Sequence, residues 1–398
     1  MKSNWQTKQL SELSNIFTDG DWIEKKDQSK EGVRLIQTGN VGNGYFKDRA
    51  EKARYISEKT FDRLNCTEIQ QGDCLVSRLP DPVGRACIVP DTAEKMITAV
   101  DCTIIRFKNE ILSQWFIDYS LSQEYQVQIN KEVGGATRQR VSRSNLGQIQ
   151  IPLPTLAEQK RIIKILDDVF AKVAKANENA EKNLQNSKEL LESYLQSIFA
   201  NPGKGWEEKK LGEIYDVRDG THDSPRYQKE GFALVTSKNL KRDLLNFDNI
   251  KYISEKDYKK INERSKVDRG DILFAMIGTI GNPVVVKADP NFAIKNVALF
   301  KISGEQDGHF LKYFLDSKFV IDKMTSEAKG TTQKFVGLGY LRNFKIKLPA
   351  LDEQQTIVKK LDALMTETKK LEKVYQQKIA DLDELKKSVL QKAFAGEL

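Results

Sequence analysis

One stretch of this chain is written twice, and that duplication limits what its 398 residues can become. Leu-Pro-Thr-Leu-Ala-Glu-Gln at 153–159 returns as Leu-Pro-Ala-Leu-Asp-Glu-Gln at 348–354. Leu195-Gln196-Ser197-Ile198-Phe199-Ala200 returns as Leu390-Gln391-Lys392-Ala393-Phe394-Ala395. The offset is 195 residues at both ends, so the two copies are equal in length. Such constancy predicts a rigid element, and the apolar pattern names it. From Ile162 the apolar or small positions step by three or four through Leu166, Val169, Val173, Ala176, Ala180, Leu184, Ser187, Leu191, Tyr194 and Ile198. That is one face of a helix. The second copy keeps a mostly apolar stripe from Ile357 and Leu361 through Leu382, Lys386, Val389 and Ala393. Both break heptad spacing at one place, Ala176-Ala180-Leu184 and Leu371-Tyr375-Ile379, as a stutter in a coiled coil does. Two helices of roughly 40 residues, about 60 Å long, are expected. Two matched stripes in one chain can satisfy each other without a second molecule. A coiled coil that only dimerises the chain is the plain alternative.

Length favours two or three domains, and the repeat selects two. With 30% charged residues and 39% hydrophobic ones, no apolar run reaches the ~18 residues of a membrane span, and the first twenty residues lack the apolar core of a signal peptide. An intracellular, cytoplasmic protein with no membrane partner is expected. Cys66, Cys74, Cys87 and Cys102 all fall in the first half without a CxxC pair, which predicts free thiols. With His222 and His309 as the only histidines, a Cys/His zinc site has few ligands to draw on. The net charge of +8 favours a polyanionic partner, although an acidic protein could use it too.

The repeat divides the chain into a globular unit at 1–152, a helix at 153–200, a second unit at 201–347 and a second helix at 348–398. In the first unit, 33–37, 74–78, 86–89 and 103–107 are short, β-branched and bounded by turn residues, so they read as strands. Segments 58–64 and 113–131 carry helical spacing. The second unit retraces this plan: Trp206 answers Trp5, Asp219-Gly220 answers Asp19-Gly20, and Tyr252-Ile253-Ser254-Glu255-Lys256 repeats Tyr55-Ile56-Ser57-Glu58-Lys59. Gly330-Thr331-Thr332-Gln333-Lys334-Phe335-Val336 answers the glycine-led loop 135–141 at the same offset of 195. Loops 18–32 and 77–85 differ from 218–231 and 275–281. An α+β fold follows: two related mixed α/β units separated by two long antiparallel coiled-coil helices, with a pseudo-two-fold internal repeat and the termini near each other.

No constellation requires catalysis. A P-loop, a GxSxG elbow and an HExxH motif are absent from the sequence. Asn282-Pro283-Val284 only echoes the Asn/Asp-Pro-Pro-aromatic motif of amino-methyltransferases, and a turn among strands explains it. Asp19 with Glu24-Lys25-Lys26 is a thin nuclease-like set. Asp73 and Asp271 sit in Gly-Asp turns, where turn chemistry accounts for them.

The paired Pro-x-Leu-x-Glu-Gln starts at 154 and 349, the Phe-Ala ends at 199 and 394, the Gly-Asp turn-strands and the glycine-led loops at 135 and 330 together carry a resemblance. The chain resembles the specificity subunit of type I restriction-modification enzymes over essentially its whole length. The resemblance implies a non-catalytic subunit whose two target recognition domains each read one half of a split, asymmetric site on double-stranded DNA. It further implies that the helices act as a ruler and dock two methyltransferase (modification) subunits, which the restriction (translocase-nuclease) subunits join. S-adenosylmethionine, ATP and Mg2+ would belong to those partners, and this chain would bind no cofactor.

Two related but unlike units suit two unlike half-sites. The residues expected to reach phosphates or base edges are Arg138, Gln139, Arg140 and Arg143 in the first unit and Thr332, Gln333 and Lys334 in the second. Arg78, Arg85, Lys238 and Asn239, with the counterparts Gly39 and Asn40, are secondary candidates. Each has a plain reading as a solvated surface residue. A self-contained nuclease or methyltransferase, and a coiled-coil scaffold with no DNA role, are the rival functions.

Overall fold

The computed structural model describes residues 5–135, 138–241, 243–330 and 333–398. It divides into two compact units, the first formed by Met1–Ala180 with Gln377–Leu398 and the second by Glu181–Gln376. Both long helices, Leu156–Ala200 and Leu351–Ala395, run 45 residues and contribute to each unit. They are longer than the roughly 40 residues expected. The first begins directly behind Pro154 and Thr155, whose hydroxyl accepts from Glu158 N at 3.3 Å as a cap. The second stops at Gly396, whose φ of 71° ends a helix without steric penalty.

The first unit holds a four-stranded antiparallel sheet in the order Ser14–Asp19, Cys102–Phe107, Cys74–Ser77, Ala86–Ile88. A second, mixed sheet runs Gln28–Ser29, Arg54–Ile56, Val33–Ile36, Met96–Thr98, with the last pair parallel. Cys74–Ser77 is buried at every position, so it reads as a continuous apolar run rather than an alternation. Gln6–Gln9 pairs antiparallel with Gln150–Leu153, the strand that leads into the first long helix. The stretch expected as one helix over 113–131 is two, Ser113–Ser120 and Gln123–Glu132. Ser122 divides them because its hydroxyl accepts from Tyr125 N at 3.2 Å and so caps a new helix.

The second unit repeats the topology. Asp216–Asp219, Val297–Lys301, Ile272–Ala275 and Gly281–Val285 stand in the same sheet order, and Lys251–Ile253, Phe232–Val235 and Phe292–Ile294 form the mixed sheet. Glu207–Lys210 pairs with Lys345–Leu348. Asn282 and Pro283 lie within a strand, consistent with a structural role.

In each unit both long helices enter the domain core. In the first, Ile162 and Leu166 share a cluster with Leu390, Ala393 and Phe394, while Phe170 lies 4.8 Å below the Lys386 ammonium. Rising numbers on one helix meet falling numbers on the other, so the pair is antiparallel there. In the second unit Leu191, Leu195 and Phe199, the closing turns of one helix, bury with Val358 and Leu361, the opening turns of the other. The buried stripe departs from the expected one at this end: Leu195 and Phe199 are inside, whereas Tyr194 is 38% exposed. The reason is that this end serves the domain as well as the paired helix, with Phe199 packing edge-on against Phe310 and Phe314, both at 5.4 Å.

Near the chain ends, Trp5 meets Trp115 at 5.8 Å, Trp115 meets Phe394 at 4.8 Å, and the Arg161 guanidinium donates to Leu398 O at 2.6 Å. All four cysteines are free and buried, and burial pushes the Cys102 thiol up to about 11. Such thiols are inert. Among the described residues no helix is long and apolar enough to cross a membrane.

Candidate nucleic-acid interface

The two glycine-led loops have one backbone design. Val133–Gly134 pairs with Arg140–Val141, and Lys329 exchanges both backbone hydrogen bonds with Phe335, at 3.0 and 2.9 Å. Gly135 has φ of 104° and Gly330 φ of 99°. A Cβ at Gly135 would stand 2.3 Å from Arg138 O, and one at Gly330 2.3 Å from Gln333 O. Both turns therefore require glycine, for its positive φ and for the close approach. Each hairpin is fastened to the loop that follows a central strand: Val141 N donates to Arg78 O at 3.2 Å, and Val336 N to Met276 O at 2.9 Å. Gly135→Ala should strain the exposed tip by about 1–3 kcal/mol. The expected result is lost hydrogen-exchange protection at the Val141 amide with a melting temperature within a few degrees of the parent. Unchanged protection would refute the strain argument.

Arg138, Gln139, Arg140 and Arg143 are exposed on this hairpin and on the short helix Arg143–Gly147 behind it. In the second unit Gln333 and Lys334 are exposed, with Lys334 Nζ donating to Thr325 O at 3.2 Å. Thr332 lies outside the described residues. Two of the other candidates, Arg85 and Arg78, are occupied otherwise. Arg85 is 7% exposed and gives its donors to backbone carbonyls, Nε to Val41 at 2.8 Å, Nη1 to Leu79 at 2.7 Å and Nη2 to Thr38 at 2.8 Å. Burial lowers its pKa. Arg78 is also buried, with Nη2 on Val100 O at 2.6 Å and Nε 3.3 Å from the Asp19 carboxylate. These two arginines tie loops together from inside and present no donor at the surface.

Asn40 and Asn239 are a matched pair of internal locks. Asn40 Oδ1 accepts from Gln37 N at 3.0 Å and its Nδ2 donates to Lys47 O at 3.0 Å; Asn239 does the same with Thr236 N at 2.9 Å and Asn246 O at 3.0 Å. Both are buried, so they shape the turn that sets the preceding side chain outward. In the second unit that side chain is Lys238, which is exposed. In the first the position is Gly39, which carries no side chain, and a Cβ there would fall 2.2 Å from the Arg49 guanidinium.

Lys238 opens on a recess of about 550 Å³ whose lining includes Lys251, Lys295, Asn296 and Gln333. The structure thus brings the Lys238 and Gln333 candidates together and adds three residues that sequence reasoning missed. Among the described residues lining it, Asp248 is the one acid. Three ammonium groups with amides between them suit a phosphate-bearing ligand with hydrogen-bonding edges. One signal for Lys251 was legible: it precedes Tyr252 as Arg54 precedes Tyr55, a basic residue at the same strand start. Among the described residues no group of three or more His, Cys, Asp or Glu is placed to hold a metal ion.

The Gly-Asp turns are structural, as turn chemistry implies. Asp73 accepts from Gln70 N at 2.8 Å and takes a bidentate Arg106 at 2.8 and 2.7 Å, while Asp271 accepts from Asp268 N at 2.7 Å and pairs with Lys301 at 2.5 Å.

A specificity subunit of the type I restriction enzyme EcoBI from Escherichia coli is 26% identical over 68% of this chain, and the match spans 63% of that relative's length. The crystal structure of the HsdS subunit from Thermoanaerobacter tengcongensis superposes with a TM-score of 0.67 at 18% identity, covering 100% of this chain and 98% of that one. A chain from a study of complex assembly and conformational transition in a type I R-M system superposes with a TM-score of 0.77 at 19% identity, covering 99% of this chain and 98% of that one. The sequence model of the type I restriction modification DNA specificity domain matches residues 2–185 and again residues 203–380. A DNA specificity domain matched twice, over nearly the whole length, makes this chain a member of the type I restriction-modification specificity subunit family.

Proposed function

We propose that this chain directs a type I restriction-modification complex to a bipartite, asymmetric site on double-stranded DNA. The domain at 1–152 reads one half-site and the domain at 201–347 reads the other. The helices at 153–200 and 348–398 set the spacing between half-sites and dock two methyltransferase subunits, which the restriction subunits join in the cytoplasm. Those partners hold S-adenosylmethionine, ATP and Mg2+, and catalysis is theirs. Arg138, Gln139, Arg140 and Arg143 contact phosphates or bases of the first half-site; Gln333, Lys334 and Lys238, with Lys251 and Lys295, serve the second.

One observation carries this reading. Two domains of one topology hold the same glycine-bent hairpin on the same backbone bonds, yet fill it with Arg138-Gln139-Arg140 in one case and Gln333-Lys334-Phe335 in the other. Equal frames with unlike donors are what two unlike half-sites require. The test exchanges residues 1–152 for those of a relative of different specificity and maps methylation in host DNA. One half of the methylated sequence should change and the other should stay. A change in both halves, or in neither, overturns the proposal.

A further inference from the structure

Backbone hydrogen bonds carry the alignment of the two domains past the shared Asp-Gly pair, into a loop whose letters differ. Gly20 N donates to Cys102 O at 2.8 Å and Gly220 N to Val297 O at 2.9 Å. Asp21 N donates to Thr98 O at 2.8 Å and Thr221 N to Ile294 O at 3.0 Å. Val100 N returns to Asp21 O at 3.0 Å, as Asn296 N returns to Thr221 O at 3.1 Å. Trp22 therefore occupies the station of His222, Ala99 that of Lys295 and Val100 that of Asn296.

The second domain makes this station polar. His222 Nδ1 lies 2.8 Å from Asn296 Oδ1 and Nε2 lies 2.9 Å from Asp219 Oδ2. Asn296 and Lys295 in turn line the recess that holds Gln333, the counterpart of Arg138. The first domain makes the same station apolar. Trp22 is 71% exposed, and its indole N–H reaches Glu24 Oε1 at 3.4 Å, a weak contact that leaves the ring open to solvent. Its neighbours by station, Ala99 and Val100, offer no polar side-chain atom, and Trp115, by contrast, is fully buried.

We propose that Trp22 is a specificity-determining residue: its indole makes an apolar contact with a base in the half-site read by the first domain. This rests on the half-site reading given above. An indole can stack on a base face, wedge into a base step or cover a thymine methyl, and in each case it discriminates without neutralising phosphate. In the second domain both ring nitrogens of His222 are already engaged, by an amide and a carboxylate, so no comparably open side chain stands at the corresponding place.

The absence of charge in this contact makes it separable from the arginines. The full chain, assembled with its modification subunits, is titrated against a duplex carrying the site found by methylation mapping, over a range of salt. Trp22→Ala should weaken binding about tenfold, the scale of one aromatic contact to a base, with the slope of log K against log salt unchanged. Base changes in the first half-site should then be penalised less, and those in the second half-site as before. Trp22→Phe should recover most of the affinity, and bound duplex should shield Trp22 from acrylamide, read as the difference between parent and Trp22→Phe. Arg138→Ala should instead lower the slope by about 1. If Trp22→Ala binds within twofold of the parent at every salt, or weakens cognate and unrelated duplex alike, the proposal falls. A parent complex with no preference for the mapped duplex would instead refute the half-site reading beneath it.

Discussion

Phe394→Ala should remove about 3–5 kcal/mol from the stability of the first unit, the usual range for deleting a buried aromatic side chain. Phe394 is 6% exposed and meets Trp115 at 4.8 Å and Tyr119 at 5.0 Å, both edge-on, in a cluster that also contains Ile162 and Leu166 of the other long helix. One ring thus joins three elements, and its two aromatic partners cannot collapse into its space without breaking a second pair, Trp115 with Trp5 and Tyr119 with Tyr125. Phe199→Ala should do the same to the second unit, where Phe310 and Phe314 hold the ring. Calorimetry should show a fall of roughly 10 °C in the affected transition, given ~2–4 °C per kcal/mol for domains of this size. Leu371→Ala, at a side chain 39% exposed, should change the same trace little. A Phe394→Ala shift no larger than that of Leu371→Ala would show that the helix end is not anchored through this ring.

The consequence for function is mechanical. A helix can set the separation of two reading domains only if its ends are fixed to them. The aromatic ends Phe199-Ala200 and Phe394-Ala395, which the sequence repeats at the 195-residue offset, are the fixings that the proposed spacing role requires. Truncating the ring should therefore loosen site recognition before it unfolds the domain.

The helices were legible because their repeat is long, uninterrupted and periodic. The shared sheet topology was legible in part, since turn-strand pairs such as Gly72-Asp73 and Gly270-Asp271 recur where the backbone must turn in the same way. The site was less so. Arg78 and Arg85 bound the one Gly- and Pro-containing loop between the strands Cys74–Ser77 and Ala86–Ile88, where an arginine reads as surface. Burial against carbonyls 22 residues away for Arg78, at Val100, and 44 and 47 away for Arg85, at Val41 and Thr38, cannot be inferred from that local composition. Lys295 and Asn296 were missed for a different reason. Three residues separate Thr98 from Cys102, where two separate Ile294 from Val297, so the constant offset fails between them. Hydrogen bonding restores the match, because backbone geometry tolerates one extra residue that letter-by-letter comparison does not. Trp22 was missed for another reason: beyond the shared Asp-Gly pair, 18–32 and 218–231 differ in content, so nothing in the letters marks the residue two places on.

Asp118→Asn should stabilise the first unit at neutral and alkaline pH and flatten its dependence on pH. Asp118 is 2% exposed, Gln114 Nε2 donates to its Oδ1 at 2.9 Å, and Oδ2 has no hydrogen-bond partner. Burial pushes its pKa up to about 7; Asp167 on the first long helix adds to the rise and Lys386 on the second opposes it. A raised carboxyl means that the folded chain holds this proton more tightly than the unfolded chain, whose value is near 3.8. The stabilisation is complete below about 4 and is lost as pH rises through about 7. The full span is roughly 4 kcal/mol, so Asp118→Asn should gain most of that above pH 8 and little at pH 4. Asp167→Asn should give a smaller change of the same sign. The second unit shows why: 195 residues on, Tyr313 takes the place of Asp118 and its hydroxyl donates to Asp362, the counterpart of Asp167, at 2.5 Å. A phenol supplies there the proton that Asp118 must acquire from solvent. Denaturant melts of the parent and of Asp118→Asn between pH 4 and 9 decide the matter: parallel curves would remove Asp118 as the source, and curves that converge at acid pH and separate above neutrality would establish it.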